Sequence, residues 1–323
     1  VYLDKTSEIV LGKALQDGYR DKVTIATKMP IEYVHNYEEM EALLESELKK
    51  LQTDHIDFYL MHGIDKAKWE QFKAIGADRF FTEKKAEGKI RHKCFSFHGS
   101  YEDFEYIIQD YDWDMVQIQY NFMDIDHQAG TKGLKLAGKL GIPVVIMEGL
   151  LGGKLSKAPD TVQALYDAFP VKRTPVEWAF RWLANNPEIM TILSGCNEPE
   201  QIEDNLRIFG TVGANIMSEE ELELMAKVRD AYNARTKIGC TGCRYCMPCP
   251  GGIDIPRVFA AWNEVSLYGG ESKANWNYQE LIRLDQTPTR CLQCGECMKA
   301  CPQHLEIIDS LQLAWKQLTE GTV

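Results

Sequence analysis

The chain has 323 residues, 45% of them apolar and 26% charged, which are ordinary globular values. A chain of this length buries a sizeable core without disulfides, so disorder, collagen and coiled coil are excluded as descriptions of the whole. The net charge is −12, from 36 Lys+Arg against 48 Asp+Glu. A phosphate-backbone binder needs a basic face, so no nucleic-acid partner is expected. No apolar run approaches the ~20 residues that cross a bilayer, and no membrane partner is expected either. The first residues do not read as a signal peptide. The chain opens at Val1, inside what reads as a motif, and a preceding piece is expected.

In chain order, the strand candidates are 23–28, 56–62, 90–97, 115–120, 143–147 and 190–194, with a possible stub at Val1–Tyr2. Each is a near-continuous apolar run, the pattern of a parallel sheet covered on both faces. Helix signals fill the gaps. Met40, Leu43, Leu44, Leu48 and Leu51 recur at helical spacing. Thr174–Pro175–Val176–Glu177 reads as a capping box with Pro at the first helical position. A second box, Ser218–Glu219–Glu220–Glu221, opens a helix through about Ala234. No G-x-G-x-x-G follows a strand, which disfavours an open dinucleotide-binding sheet. The repeated strand–helix pattern predicts a (β/α)8 TIM barrel lacking its first strand or so. Composition shifts near Thr236 toward Cys, Trp and Gln. We expect a barrel over 1–234 and a small, mainly helical domain over 235–323.

Ten cysteines are present, and eight fall in two tight groups of the second domain. Residues 1–239 hold only Cys94 and Cys196, each in or beside an apolar strand and expected to be a buried structural thiol. A secreted scaffold spreads its cysteines, so this pattern points to a reducing compartment and metal ligation. The later group, Cys291-x2-Cys294-x2-Cys297-x3-Cys301-Pro302, is the bacterial ferredoxin ligand run. The earlier group, Cys240, Cys243, Cys246 and Cys249-Pro250, is one residue shorter at its last spacing. The groups repeat at a spacing of 51 residues. Two 4Fe-4S clusters are the natural reading; a pair of structural zinc sites is the alternative. By the ferredoxin pattern, Cys240, Cys243, Cys246 and Cys301 hold one cluster, and Cys291, Cys294, Cys297 and Cys249 the other. The wide separation resembles the α-helical dicluster type of ferredoxin domain, and the helical patch 256–265 agrees.

In the first domain, Lys28 closes one strand, His62 closes the next, and Tyr2 lies five residues before Ser7. Strand C-termini form the active face of a barrel, so the Lys and the His can meet there. With their flanks, these residues resemble the aldo-keto reductase family. The stretches that carry the resemblance are 2–15, Ile25–Ala26–Thr27–Lys28, Asp57–Phe58–Tyr59–Leu60–Met61–His62, Phe95–Ser96–Phe97–His98, 116–121, and Leu193–Ser194–Gly195 leading to Asn205. With the cysteine tail, the chain is similar to the branch that carries a C-terminal iron–sulfur domain.

That resemblance implies a catalytic Tyr2, Lys28 and His62, with the family's Asp expected a few residues ahead of Tyr2. It implies NADP(H) or NAD(H) as cofactor and a small aldehyde or ketone as substrate. Ser96 and Gln117 match the carboxamide binders, although the Asn usual after that Ser is Phe97. Gly149, Leu150 and Gly152 match the pyrophosphate loop; Gly195, Asn197, Gln201 and Asn205 match the adenosine end. Gln201 stands where an Arg often meets the 2′-phosphate, and a neutral amide gives up that charged contact. The phenol gives up a proton more readily beside an ammonium, and His62 orients the carbonyl oxygen. A redox protein partner for the clusters and a cytoplasmic location complete the expectations. The competing reading is an electron-transfer or docking protein whose barrel binds nicotinamide without turnover.

Overall fold

The computed structural model describes residues 6–323. Along them run α1 (Ser7–Ala14), β1 (Ala26–Met29), α2 (Tyr37–Leu51), β2 (Ile56–Ile64), α3 (Lys66–Ala74), α4 (Ala77–Ala86), β3 (Ile90–Phe97), α5 (Tyr101–Asp110), β4 (Met115–Gln119), α6 (Gly130–Lys139) and β5 (Val144–Met147). There follow α7 (Asp160–Ala168), α8 (Pro175–Ala184), β6 (Ile189–Ile192), α9 (Pro199–Phe209), α10 (Glu219–Asn233), α11 (Ile255–Tyr268), α12 (Trp276–Arg283), α13 (Glu296–Ala300) and α14 (Ile307–Glu320). Among the described residues no helix is long and apolar enough to cross a membrane.

All six expected strands form, and they pair in sequence order as one parallel sheet. Helices return each strand to the same end, as parallel pairing requires. Their edges are trimmed for physical reasons. β1 begins at Ala26 because the Ile25 N–H is taken by the Asp57 side chain at 2.8 Å. β5 begins at Val144, one residue after Pro143, which has no N–H to give. The Val1–Tyr2 stub lies outside the described residues.

The helices start where the sequence places caps. Asn36 accepts the Glu39 N–H at 2.9 Å to open α2. Thr174 Oγ1 accepts from the Glu177 N–H at the start of α8. Ser218 and Glu221 complete a reciprocal capping box on α10.

The chain divides into two compact units. One runs through Gly152 and returns at Ala179–Met217; the other holds Gly153–Trp178 and Ser218–Val323. In the second unit α7 packs on α10, and Arg235 ties the Thr161 hydroxyl (3.2 Å) and the Ser266 carbonyl (2.6 Å) together. Packing therefore groups 153–178 and 218–234 with the cysteine region, whereas composition shifts near 235.

In the first unit the sheet has an inner and an outer face. Leu60, Cys94, Met115 and Val145 form one apolar cluster with Phe58 against it. Register puts Lys28 opposite Leu60 and Leu60 opposite Cys94, on this inner face. Burial pushes the Cys94 thiol far up, as befits a structural cysteine. Cys196, expected to be buried, is only half-buried, because it lies in the loop after β6 and not in the strand. At the opposite end Asp57 is buried beneath Arg20 (2.9 Å) and Arg91 (3.3 Å). Burial opposes its charge, yet the Ile25 N–H and Arg20 hold the carboxyl below its usual range.

On the outer face, α2 presents Met40, Leu44, Leu48 and Leu51 together with a carboxylate, Glu47, all buried. Glu47 Oε2 and the Tyr59 hydroxyl have no hydrogen-bond partner of ordinary geometry among the described residues. Burial pushes the Glu47 carboxyl up to about 8; nearby Glu8 adds to the rise, while Tyr59 and Lys50 oppose it. An unfolded Glu titrates near 4.5, so the folded chain keeps a proton that the unfolded chain has lost. The stability from this site is full below that value and is lost as pH rises through about 8. Urea unfolding at about pH 5 and about pH 8.5 should therefore show Glu47→Gln losing less stability than the parent chain, by on the order of a few kcal/mol. Equal losses would show that Glu47 is ionised in the folded state.

Candidate active site and cluster cavities

Lys28 stands on β1 and His62 near the end of β2, both half-buried at the C-terminal side of the sheet. Burial lowers the Lys28 pKa. Burial, then the charge of Lys28, lowers that of His62, and His98 adds to it. The two side chains thus sit within electrostatic reach, and the imidazole is held below its ordinary 6.5. At neutral pH it is an uncharged ring with one N–H to donate. Tyr2 lies outside the described residues.

His62 is carried by a break in the β2–β3 register between Met61 and Ile64. Ser96 spans the break. Its hydroxyl donates to the Met61 carbonyl (3.3 Å) and accepts the Gly63 N–H (2.9 Å). Gly63 takes φ 61°, a left-handed turn that glycine makes at little cost. Gln117 is the register partner of Ser96, buried, with Nε2 donating to Met147 Sδ at 3.2 Å. The structure therefore sets Lys28 on β1, Ser96 on β3 and Gln117 on β4 along the inner face. Phe97 turns the other way and packs on Phe95 and Phe104.

The loop after β5 contains Glu148 (φ 59°), Leu151 (φ 50°) and Gly152 (φ 63°). A left-handed residue next to a right-handed one turns successive backbone N–H groups toward one side, a concavity suited to anions. A Cβ on Gly149 would meet Leu183 Cδ1 at 3.0 Å, so the loop backbone must lie close against its support. Leu150 is half-buried in the same loop. After β6, Gly195, Asn197 and Gln201 are exposed and Asn205 is half-buried. The Asn197 N–H donates to Gln201 Oε1 (3.0 Å), and Asn205 Nδ2 donates to Ser194 Oγ (3.0 Å).

Two features were not singled out from the sequence. Asn121, fully buried, joins Asp124 Oδ2 (3.2 Å) and the Glu148 carbonyl (3.1 Å), tying the loops after β4 and β5. A cleft of about 580 Å³ lies between the loops after β3 and β4, lined by His98, His127, Gln128 and Lys132 among others. His98 Nδ1 pairs with Gln128 Oε1 (3.2 Å), and Gln128 Nε2 meets His127 Nε2 (3.3 Å). A polar residue just past an apolar strand, as His98 follows β3 and His62 ends β2, is the sequence signal that could have found it.

In the second unit the eight clustered cysteines line two cavities. Cys240, Cys243, Cys246 and Cys301 share one with Ile255, Phe259 and Ile307. Cys249, Cys291, Cys294 and Cys297 share the other with Ile253, Ile308 and Leu311. Each cavity thus takes three cysteines from one group and one from the other. The loops repeat in backbone as well as in sequence. Left-handed residues recur at Gly242 and Gln293, at Arg244 and Gly295, and at Gly252 and His304. Among the described residues no three Cys, His, Asp or Glu side chains close on one ion-sized point. The thiols surround a space. Burial and neighbouring cysteines push Cys246 up to about 11, and Cys240 and Cys297 are raised in the same way. Gathering such thiolates is unfavourable without positive charge among them, and iron held by these cysteines would supply it. The donor set, the cavities and the N–H-bearing loops all suit an anionic iron–sulfur cluster.

Comparison with known proteins agrees. Residues 1–228 match the model of the aldo/keto reductase family, and residues 239–306 that of a 4Fe-4S dicluster domain. An uncharacterised oxidoreductase of Bacillus subtilis, YrpG, is 26% identical over 249 residues, 62% of this chain and 72% of that protein. The structure of aldo-keto reductase AKR11C1 from Bacillus halodurans superposes with TM-score 0.56 at 23% identity, covering 68% of this chain and 76% of that one. An aldo/keto reductase from Klebsiella pneumoniae, solved with NADP and acetate, gives 0.55 at 21% identity, covering 69% and 75%. The family model spans most of the chain and the dicluster model spans the region of the two cysteine cavities: the chain is an oxidoreductase of the aldo/keto reductase family with a C-terminal 4Fe-4S domain.

Proposed function

We propose that the chain reduces a small aldehyde or ketone with NADPH or NADH, and that residues 235–323 hold two 4Fe-4S clusters that pass electrons to or from a redox protein. The observation that carries the first part is the placement of Lys28 on β1 and His62 at the register break near the end of the adjoining β2, both half-buried at the same end of the sheet.

When bound, the nicotinamide supplies a hydride. The chain's residues do the rest. His62 donates an N–H to the carbonyl oxygen and fixes its direction, and this bond strengthens as charge develops there. Tyr2 gives that oxygen its proton, and the Lys28 ammonium favours the phenolate left behind. Ser96 and Gln117 hold the carboxamide; Gly149, Leu150 and Gly152 cradle the pyrophosphate; Gly195, Asn197, Gln201 and Asn205 meet the adenosine end. The remote end of the substrate fits the cleft at His98, whose volume lies in the usual range for small-ligand sites.

In the cysteine region, Cys240, Cys243, Cys246 and Cys301 hold one cluster, and Cys249, Cys291, Cys294 and Cys297 the other. The shared cavities support this crossed assignment.

Anaerobic fluorescence titration with NADPH should give micromolar binding. Tyr2→Phe should leave that binding intact and lower kcat by about 10²-fold or more. Unchanged turnover in Tyr2→Phe would favour a barrel that binds cofactor without chemistry. The pH profile of kcat/KM should fall on the acid side below the ordinary 6.5 of a histidine, as His62 becomes charged. Its alkaline limb should lie below the ordinary 10.5 of a lysine, as Lys28 loses its proton. An acid limb above 6.5 would mean that another group governs it.

Iron analysis should give about eight iron atoms per chain, four for each cluster. The double substitution Cys240→Ser/Cys301→Ser should halve the iron, since both serve one cluster, whereas Cys291→Ser/Cys301→Ser should remove nearly all of it. The reverse pattern would overturn the crossed assignment.

A further inference from the structure

We propose that the surface of the cluster region beside Cys243 is the docking site for an acidic electron-carrier protein; this rests on the reading that the clusters exchange electrons with a redox partner. Cys243 is the exposed thiol of the first cavity, and Arg244 lines the same cavity. From there a continuous strip of side chains leads outward. Arg244 reaches Asp254 at 3.4 Å, and Arg257 reaches the same carboxylate at 3.7 Å. The Arg257 guanidinium then stands 5.5 Å from the centre of the Trp276 ring. Trp276, Glu280 and Arg283 follow at helical spacing on α12, with Arg283 bound to Glu280 at 2.7 Å.

The charges in this strip are layered. The Asp254 side chain is 6% exposed and that of Glu280 18%, while those of Arg244 and Arg283 are 57% and 65% exposed. The two carboxylates are sunk, Arg257 lies half-buried between them, and the Arg244 and Arg283 guanidinium groups stand outward, so an arriving molecule meets positive charge. Trp276 is 63% exposed, with its ring unburied beside those cations. Exposed Trp and Arg together are the residues that dominate protein–protein binding energy. The wider charge distribution agrees: residues 235–323 carry nine Lys+Arg and nine Asp+Glu, so the whole net charge of −12 belongs to residues 1–234. An acidic partner is steered away from the barrel sequence's charge and toward this strip. Docked here, the carrier's redox centre faces Cys243, the exposed thiol of the first cavity.

The test uses the cluster-loaded full chain and two acidic probes, a flavodoxin and a two-cluster ferredoxin, in anaerobic calorimetry. At least one probe should bind, more weakly as salt rises from about 50 to about 200 mM. Arg283→Glu and Trp276→Ala should each weaken binding about tenfold or more. Lys139→Glu, the same kind of charge reversal on an exposed α6 position of the barrel unit, should leave it within about twofold. Cluster absorbance must match the parent in every variant, which separates lost docking from lost folding. Binding of neither probe, equal loss in Lys139→Glu, or a Trp276-dependent dimer of the chain itself would overturn the proposal. Dithionite reduction followed by electron paramagnetic resonance tests the underlying reading separately. Clusters that accept electrons while neither probe docks would sink the docking site alone.

Discussion

The placement of His62 depends on one hydroxyl. Ser96 lies across the sheet from the point where β2 breaks register, and it bonds to both sides of the break. A regular parallel strand would carry residues 61–64 straight on, and His62 would keep the ladder's alternation without slack. Bridging Met61 and Gly63 through a side chain frees the backbone for the left-handed turn at Gly63 while leaving no orphaned N–H. The same serine adjoins Gln117 in register. One residue therefore shapes the strand that bears the imidazole and stands next to the amide proposed for the cofactor.

Burial then sets the chemistry. Lys28 and His62 are both withdrawn from water, and each would rather not be charged there. The conflict resolves unequally. A lysine lowered from 10.5 still starts far above neutral, whereas a histidine lowered from 6.5 starts below it. One cation and one neutral donor result from the same desolvation, and that asymmetry is what separates the two roles. The cysteine region solves a different problem. Its thiols are brought together by loops whose left-handed residues recur in both halves, so its order comes from the backbone turning around a space.

Most of the fold was legible because it rests on periodicity. Six apolar runs became six strands, and the capping boxes at Thr174 and Ser218 opened helices where they stand. The cysteine spacing likewise anticipated which thiols line each cavity, since a loop that wraps three thiols around one space leaves its fourth facing elsewhere. What escaped was whatever depends on a neighbour distant in sequence. Glu47 reads as a solvated charge within an amphipathic stripe. Its burial follows from the fit of α2 against the outer face of the sheet, where Tyr59 stands. The late start of β1 was invisible because its cause, Asp57, lies 32 residues from Ile25.

The left-handed residues mark the same limit more sharply. Gly242, Gly252 and Gly295 announce such a conformation, but Gln293, His304 and Arg244 at the matching positions do not. A side chain there costs about 1 kcal/mol or more, and the chain accepts it at three places around two cavities. The sequence repeat of cysteines implies that both loops must turn alike. The glycine in one half then identifies the turn that its partner in the other half is obliged to make. Read as a pair, the halves supply the information that neither carries alone, because what the sequence repeats is a backbone path and not a set of side chains.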